Sequence, residues 1–158
     1  MHQRAETFCE NAHERYGIEL DVVEFPEGTK TAADAAAAVG CEVAQIASSI
    51  VLAVDDELIV AVTSGANRVD MDAVASKFDA PNGSVSMADP DRIKSVVGWS
   101  IGGVPPLCHE TDVPTLFDPT LLTYETVYGA AGTPNAVFPI DPEALRSLAD
   151  AEAVDVTE

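Results

Sequence analysis

The sequence predicts a single compact α+β domain, in which helices surround a mixed, largely antiparallel sheet or a barrel-like core. The 158 residues fit one domain, because two domains would each be very small. Apolar residues make up 47% of the chain, which is enough to build a core. Helical and strand patterns are mixed without strict alternation of strand, helix and strand, so an α+β arrangement is favoured over a parallel sheet.

Helix caps and apolar runs define the elements of the first half. Apolar side chains at helical spacing predict a first helix that Gly17 ends, and Thr31 and Gly40 bound a second. Two nearly continuous apolar runs, joined by three acidic residues, predict a hairpin that is buried on both faces. The predicted elements are a helix at 5–16, a strand at 20–25, a helix at 31–39, a helical turn at 42–47 and paired strands at 49–54 and 58–63.

Aspartate–proline pairs mark two predicted helix starts in the second half of the chain. Asp89-Pro90 and Asp141-Pro142 each place a capping acid before proline, which is typical of a helix start. A glycine- and proline-rich stretch, Gly102 to Pro106, separates the second of three helices from the next strands. The predicted elements are helices at 70–78, 90–97 and 142–149, and strands at 113–117, 126–130, 136–140 and 153–156.

The charge balance is strongly acidic. Eight lysine and arginine residues stand against 27 acids, for a net charge of −19. The acids are spread along the chain, which predicts a solvated acidic surface on a salt-adapted protein, with an ordinary acidic protein as the alternative. Such a surface does not favour non-specific binding to a nucleic-acid backbone, so DNA is not an expected partner. A local contact with one end of a nucleic acid stays compatible with it.

Cysteine and histidine usage favours a reducing, cytoplasmic setting and no metal site. The three cysteines form no CxxC pair, and the three histidines lie far apart in the sequence. The mixed, charged N-terminal sequence does not look like a signal peptide, and no apolar run is long enough for a membrane span. We therefore expect neither a metal site nor a membrane partner.

The stretch from Gly98 to His109 is the strongest candidate for a chemical site. Two glycines permit backbone angles closed to other residues, and two prolines fix the turn that follows. A loop of this kind can aim backbone N–H groups at one point, as a polarised ester carbonyl requires. A plain tight turn between core elements is the alternative.

Several blocks of the sequence, in order, resemble the YbaK/ProX superfamily. These are relatives of the editing domain inserted in bacterial prolyl-tRNA synthetases, and they act as trans-editing aminoacyl-tRNA deacylases. The resemblance spans roughly residues 15 to 156, and its G-x-x-x-P loop falls on Gly102 to Pro106. The other matching blocks are Thr31–Ala35 with Val39-Gly40, Gln45–Val51, Thr63–Asp70 and Ala130–Phe138.

The resemblance implies hydrolysis of the ester at the 3′ end of a mischarged tRNA, without a cofactor. Backbone contacts from Gly102, Gly103 and Val104, in the loop closed by Pro106, would position the ester carbonyl for attack by water. Such a mechanism suits a chain without a recognisable nucleophile–base pair. The candidate substrate-binding residues that accompany this loop are Thr31, Ser48, Arg68, Trp99, Ile101, Pro105, His109, Gly132, Thr133 and Asn135.

Individual candidates have competing interpretations. Arg68 is expected either to reach the substrate phosphate or to pair with a nearby aspartate. Trp99 is expected to be half-buried, with base stacking as a lesser role. Thr31 is chiefly a helix cap at a terminus that also attracts phosphate. His109 is either a contact at the pocket mouth or a turn residue satisfied by the backbone.

Three positions depart from the family pattern. Ser48 stands where the family has a lysine, Asn135 where many relatives carry histidine, and Cys108 where glycine is common. Arg68 or Lys94 could replace the missing cation, or high salt could make it dispensable. The third interpretation is a non-catalytic module that binds aminoacyl-tRNA or an amino-acid-like ligand. A structural or interaction protein would instead have the glycine loop packed shut, with no cavity over it.

Overall fold

The computed structural model describes residues 2–25 and 31–158. Its helices are α1 (Gln3–Tyr16), α2 (Ala32–Val39), α3 (Met71–Lys77), α4 (Pro90–Val97) and α5 (Pro142–Leu148). Its strands are β1 (Val23–Glu24), β2 (Ile46–Val54), β3 (Glu57–Ser64), β4 (Val85–Met87), β5 (Thr115–Phe117), β6 (Val127–Ala130), β7 (Ala136–Ile140) and β8 (Glu152–Ala153). Short 3₁₀ turns cover Val43–Gln45 and Pro119–Thr123.

Polar side chains begin most of these helices. Thr31 Oγ1 accepts from Asp34 N at 3.1 Å, as the sequence predicted for α2. Asp70 and Asp141 cap α3 and α5 in the same way. Asp89 occupies the N-cap of α4 but makes no side-chain cap hydrogen bond. Of the two residues that predicted the start of this helix, only Pro90 has the expected role, at the first turn.

The described strands form one mixed sheet in the order β1-β7-β6-β2-β3-β5-β8, and β4 pairs with β2 as well. The pairs β1–β7, β6–β7, β2–β3 and β2–β4 are antiparallel. The pairs β2–β6, β3–β5 and β5–β8 are parallel. The predicted α+β class with a mixed, largely antiparallel sheet is confirmed.

The β2–β3 hairpin lies at the centre of the core. On one face, Val51, Val60 and Val62 pack with residues of α1, α4 and α5. On the other face, Leu52, Ile59 and Ala61 pack with residues of α3. Burial on both faces is confirmed for β3, whereas the middle of β2, from Ser48 to Ile50, is only half-buried.

Several predicted boundaries are wrong, and two short elements escaped prediction. The strand expected at 20–25 is reduced to Val23–Glu24, because β7 pairs with two residues only. The helical turn expected at 42–47 ends at Gln45, and β2 begins at once. The last strand lies at Glu152–Ala153 rather than at 153–156. Strand β4 and the 3₁₀ turn at Pro119–Thr123 were not predicted.

None of the helices in the described part of the chain is long and apolar enough to span a membrane.

Candidate functional site

A cavity of about 390 Å³ opens beside the middle of β2. Its volume falls within the range of small-molecule sites in proteins. Apolar side chains make up most of its wall, joined by backbone and a few hydroxyl groups. The lining residues are Thr31, Ala32, Ala35, Ile46, Ala47, Ser48, Ser49, Ile50, Val51, Met87, Ile93, Ile101, Gly102, Val104, Ala130, Pro134, Ala136 and Val137.

The cavity exists because two strands share one edge of β2 without meeting. Strand β6 pairs in parallel with Ile46 and Ala47. Strand β4 pairs antiparallel with the far end of β2, from Leu52 onward. The stretch between these two pairings has a neighbouring strand on the β3 side alone among the described residues. The half-buried middle of β2 therefore becomes a wall of the cavity.

Ser48 and Gly102 line this same cavity, although 54 positions separate them in the sequence. Thr31, Ile101 and Val104 also line it. The segments that the family resemblance singled out thus lie together, and what each residue does there stays a prediction. Among the described lining residues, none carries a charged side chain, so no described cation lines this cavity in place of the family lysine.

Two adjacent glycines shape the loop over the cavity. Gly102 has φ +90°, a conformation that favours glycine. A Cβ on Gly103 would lie 2.8 Å from Thr133 Cα, so this glycine allows the two loops to touch. Gly103 N donates to Ser100 O at 3.0 Å. The N–H group of Gly103 is therefore already engaged within the loop, and the expected backbone contacts of Gly102, Gly103 and Val104 with substrate stay a prediction.

The loop from Gly132 to Asn135 closes another side of the cavity through Pro134. Gly132 has φ +89°, and a Cβ there would lie 2.6 Å from Trp99 Cζ3. Thr133 is buried, and Asn135 O accepts from Phe25 N at 2.9 Å. Gly132, Thr133 and Asn135 lie beside the cavity but are not among the residues that line it.

Trp99 is buried beneath the loops, with 3% of its surface exposed, rather than half-buried as expected. Its indole Nε1 donates to Cys108 O at 2.9 Å. The Arg4 guanidinium lies 4.1 Å from the ring centroid, and Phe8 packs edge-on at 5.9 Å. The structure therefore places Trp99 against Gly132 and away from any surface on which a base could stack.

His109 is also buried and does not line the cavity, so the interpretation as a contact at the pocket mouth is not supported. Its Nε2 lies 2.8 Å from Pro105 O, within the glycine loop. Burial lowers the pKa of His109, and the hydrogen bond to Pro105 opposes that shift only in part. The lowered pKa favours the neutral ring, and because Pro105 O can only accept, Nε2–H donates to this loop carbonyl. Pro105 and Pro106 are buried as well.

Cys108 is a buried filler beside the loop. Burial raises its pKa to about 11, so the thiol stays protonated and poorly nucleophilic near neutral pH. Its φ of +64° is unusual for a residue other than glycine, which fits the position where relatives carry glycine.

A second cavity of about 350 Å³ adjoins the first and shares Ala32, Ser48, Ile50 and Met87 with it. Arg68 lines this second cavity together with Asn67, Glu158 and the end of β3. The Arg68 side chain has no hydrogen bond or ion pair within the described residues. Lys94, the other candidate replacement cation, lies on α4 outside both cavities.

Asp118 supports the turn beside the second cavity, and the sequence analysis did not single it out. Its carboxylate is buried and accepts from Ser64 N at 3.0 Å and from Asn67 Nδ2 at 2.9 Å. It also caps the 3₁₀ turn by accepting from Thr120 N. The pair Asp118-Pro119 repeats the aspartate–proline signal that predicted α4 and α5.

Across residues 2–25 and 31–158, no three His, Cys, Asp or Glu side chains gather as a metal site requires.

Comparison with known proteins places this geometry in a family. A family model described as "Aminoacyl-tRNA editing domain" matches residues 26–148. The uncharacterised protein YwhH of Bacillus subtilis (strain 168) is 28% identical over 137 residues, which is 85% of this chain and 84% of that protein.

Solved structures share the whole fold. One, described as a candidate trans-editing enzyme for prolyl-tRNA synthetase, is 35% identical with a TM-score of 0.93, over 100% of this chain and 99% of that one. The hypothetical protein APE2540 is 25% identical with a TM-score of 0.83, over 96% of this chain and 99% of that one.

Proposed function

Because the chain belongs to the aminoacyl-tRNA editing domain family, we propose that it hydrolyses the ester bond of mischarged aminoacyl-tRNA as a free-standing deacylase. The cavity beside β2 carries this proposal. The glycine loop, through Gly102 and Val104, and Ser48, at the position of the family lysine, line this cavity together. Its other walls are mostly apolar, and its volume is about what an aminoacyl ester needs. The matching structure described as a candidate trans-editing enzyme supports the same role.

The proposed chemistry uses the loop backbone in place of a catalytic side chain. Water attacks the carbonyl carbon of the ester, and negative charge develops on the carbonyl oxygen. The N–H groups of Gly102 and Val104 stabilise that oxygen, since the N–H group of Gly103 already donates to Ser100 O. The bond to the ribose oxygen then breaks, a proton from the water passes to that oxygen, and amino acid and tRNA leave.

Arg68 is the proposed replacement for the family lysine. Its guanidinium has no partner within the described residues, and it lines the cavity that continues from Ser48. A guanidinium there can bind a backbone phosphate near the 3′ end while the ester occupies the first cavity. The tRNA would thus be held at one end, on an otherwise acidic protein.

A second candidate function is binding without hydrolysis. The observation that favours it is the wall of the first cavity, which has no charged side chain among its described residues. A lapsed enzyme would still bind the aminoacyl end, and Ser48→Lys would then create or raise hydrolysis. If Arg68 already supplies the cation, the same substitution would change the rate little.

A deacylation screen over mischarged tRNAs in molar KCl tests both functions. A deacylase releases amino acid from at least one mischarged tRNA, and Arg68→Ala slows that reaction roughly tenfold. Lys94→Ala removes the same charge from outside both cavities and leaves the rate within about twofold. Absence of hydrolysis over the whole screen, with binding retained, would overturn the deacylase in favour of the binding module. Equal losses in the two variants would exclude a local role for Arg68.

A further inference from the structure

The outer edge of β2 changes partner at Ser49. The pairing with β6 covers Ile46 and Ala47, and the pairing with β4 begins at Leu52. Just before β4, Val51 O accepts a hydrogen bond from Ala88 N at 3.2 Å. Ser49 thus lies between the ends of two strand pairings, on the wall of the first cavity.

The backbone N–H and C=O of Ser49 face away from β3. In an antiparallel pair, alternate residues turn both backbone groups to the partner strand. Ile46 O accepts a hydrogen bond from Gly65 N, so the backbone N–H and C=O groups of the even-numbered residues of β2 point toward β3. Val51 O accepts from Ala88 N on the opposite side, so the backbone N–H and C=O groups of the odd-numbered residues of β2 point away from β3. Within the described residues, neither β6 nor β4 pairs with Ser49 on that outward side.

The side chain of Ser49 adds a second, independent observation. Its Oγ is buried and has no hydrogen-bond partner among the described residues. The residue as a whole is nevertheless half-exposed, so its exposed surface belongs to Cβ and the backbone. A buried hydroxyl without a partner is unfavourable, so its presence calls for an explanation such as a bound molecule or a catalytic role.

We infer that Ser49 docks the α-ammonium group of the aminoacyl ester, an inference that rests on the proposed function. The Ser49 C=O accepts a hydrogen bond from the ammonium group, and rotation about χ1 makes Oγ a second acceptor. The ester carbonyl then lies toward Gly102 and Val104 across the same cavity. The amino-acid side chain faces the apolar wall.

This geometry selects a substrate class. One residue offers one outward C=O, which suits a single amino acid rather than a peptide strand that would need a row of such groups. Esters with a free α-amino group are accepted. N-acylated esters, such as peptidyl-tRNA, lose the charged donor and add bulk at the strand edge, so they are rejected.

Two stable analogues isolate the ammonium group. In 3′-alanylamino-3′-deoxyadenosine and 3′-propionylamino-3′-deoxyadenosine the ester is an amide, and the two molecules differ only in the α-ammonium. Dissociation constants are measured at pH 6.5 in 1 M KCl, which screens the general attraction of an acidic protein for cations. The propionyl analogue should bind at least about tenfold more weakly, as expected for loss of a charged hydrogen bond.

Two further readouts locate the ammonium group at Ser49. The ¹³C resonance of the Ser49 carbonyl should shift with the alanyl analogue and not with the propionyl analogue. The Ala53 carbonyl, which lies in the pairing with β4, should shift with neither. Ser49→Ala should reduce the ratio of the two dissociation constants by about threefold. Ser95→Ala, on the exposed face of α4, should leave the ratio unchanged.

The outcomes separate this inference from the proposed function. Equal affinities, or a preference for the alanyl analogue without a shift at the Ser49 carbonyl, would overturn the docking position and leave a deacylase intact. An unchanged ratio in Ser49→Ala would overturn the part assigned to the hydroxyl. Failure of both analogues to bind, together with no hydrolysis in the tRNA screen, would overturn both.

Discussion

Gly102 and Gly103 are adjacent, but the fold needs them for different reasons. A side chain on Gly102 meets only Pro134 Cγ at 3.6 Å, so space is available and the cost comes from its φ of +90°. A side chain on Gly103 meets the backbone of Thr133 at 2.8 Å, so the cost comes from contact. The first glycine therefore sets the direction of the loop, and the second sets its distance from the neighbouring loop.

Gly103→Ala should separate the two loops over the cavity. We expect overpacking to cost roughly 1–3 kcal/mol of stability. We also expect the deacylation rate to fall at least about 10²-fold, because the N–H groups of Gly102 and Val104 no longer point at the ester oxygen. Single-turnover deacylation and urea unfolding measure the two effects. Cys108→Ala, a change beside the loop, should cost tenfold or less in rate. A folded Gly103→Ala protein with full activity would contradict the proposed mechanism.

His109 should make stability depend on pH in the mildly acidic range. Its pKa is lowered in the folded chain, below the ordinary 6.5, because burial penalises the charged ring. The unfolded chain therefore binds the proton more readily, and stability falls as pH drops below about 6.5 toward the folded pKa. Melting temperatures at pH 7.5 and 5.5 should differ more in the wild type than in His109→Gln. An equal or larger difference in the variant would exclude this source.

At the scale of elements, helix α1 supports the segment from Gly98 to His109, which contains the glycine loop. Arg4 Nη2 donates to Gly98 O at 2.6 Å, and Arg15 Nη1 donates to His109 O at 2.9 Å. Between these two contacts, Trp99 fills the space under Gly132. The N-terminal helix thus anchors both ends of the segment that carries the glycine loop.

Trp99→Phe should weaken this support. The variant loses the hydrogen bond to Cys108 O and leaves a small void under Gly132, so we expect about 1–3 kcal/mol of destabilisation. Urea unfolding measures this loss of stability. The deacylation rate should fall as well, because the loop at Gly132 loses its support. If Trp99 instead stacked on a base, the variant would keep its stability and bind the tRNA end more weakly. That pattern would restore the base-stacking interpretation.

The sequence predicts elements well where a local signal ends or begins them. Thr31 and Asp141 mark helix starts by caps that the structure contains, and Gly17 and Gly40 mark helix ends. Strand β4 was missed because a run of three residues after the turn at 81–84 is too short for its alternation to indicate a strand. Its existence depends on pairing with β2, which is a tertiary property.

The candidate site was predictable only in part. The resemblance brought Ser48 and Gly102 to attention, and both line the cavity. Ser49 was not singled out as a site residue, because its position depends on where β6 and β4 leave the edge of β2. Asp118 was missed too, although the proline after it is a signal that the sequence carries.

At the scale of the whole molecule, most arginines bind backbone carbonyl oxygens, and few of the acids have a basic partner. Arg4, Arg15, Arg92 and Arg146 each donate to a backbone carbonyl oxygen. The ion pairs between described side chains are Arg15–Asp112, Lys77–Glu152 and Arg146–Glu143. Most of the 27 acids therefore repel one another, and solvent or salt must screen them.

The melting temperature should rise between 0.1 M and 3 M KCl. Screening reduces the repulsion of a chain with a net charge of −19. Salt also strengthens apolar burial, so a variant that neutralises the acidic hairpin turn, Asp56→Asn with Glu57→Gln, separates the two causes. It should be more stable than the wild type at 0.1 M and gain less from salt. An unchanged or lower melting temperature at 3 M would argue against salt adaptation.

The first cavity is assembled from residues as far apart as Thr31 and Val137. During synthesis on the ribosome, β2 and β3 emerge first and can form their hairpin, whereas β6 and β7 emerge only after residues 65–126 have been made. Until then the Ile46–Ala47 end of β2 has no neighbour on its outer side, and the cavity lacks the wall that Ala130, Ala136 and Val137 provide. The cavity is therefore incomplete in a nascent chain until β7 has formed, and early termination yields a fragment with an exposed strand edge.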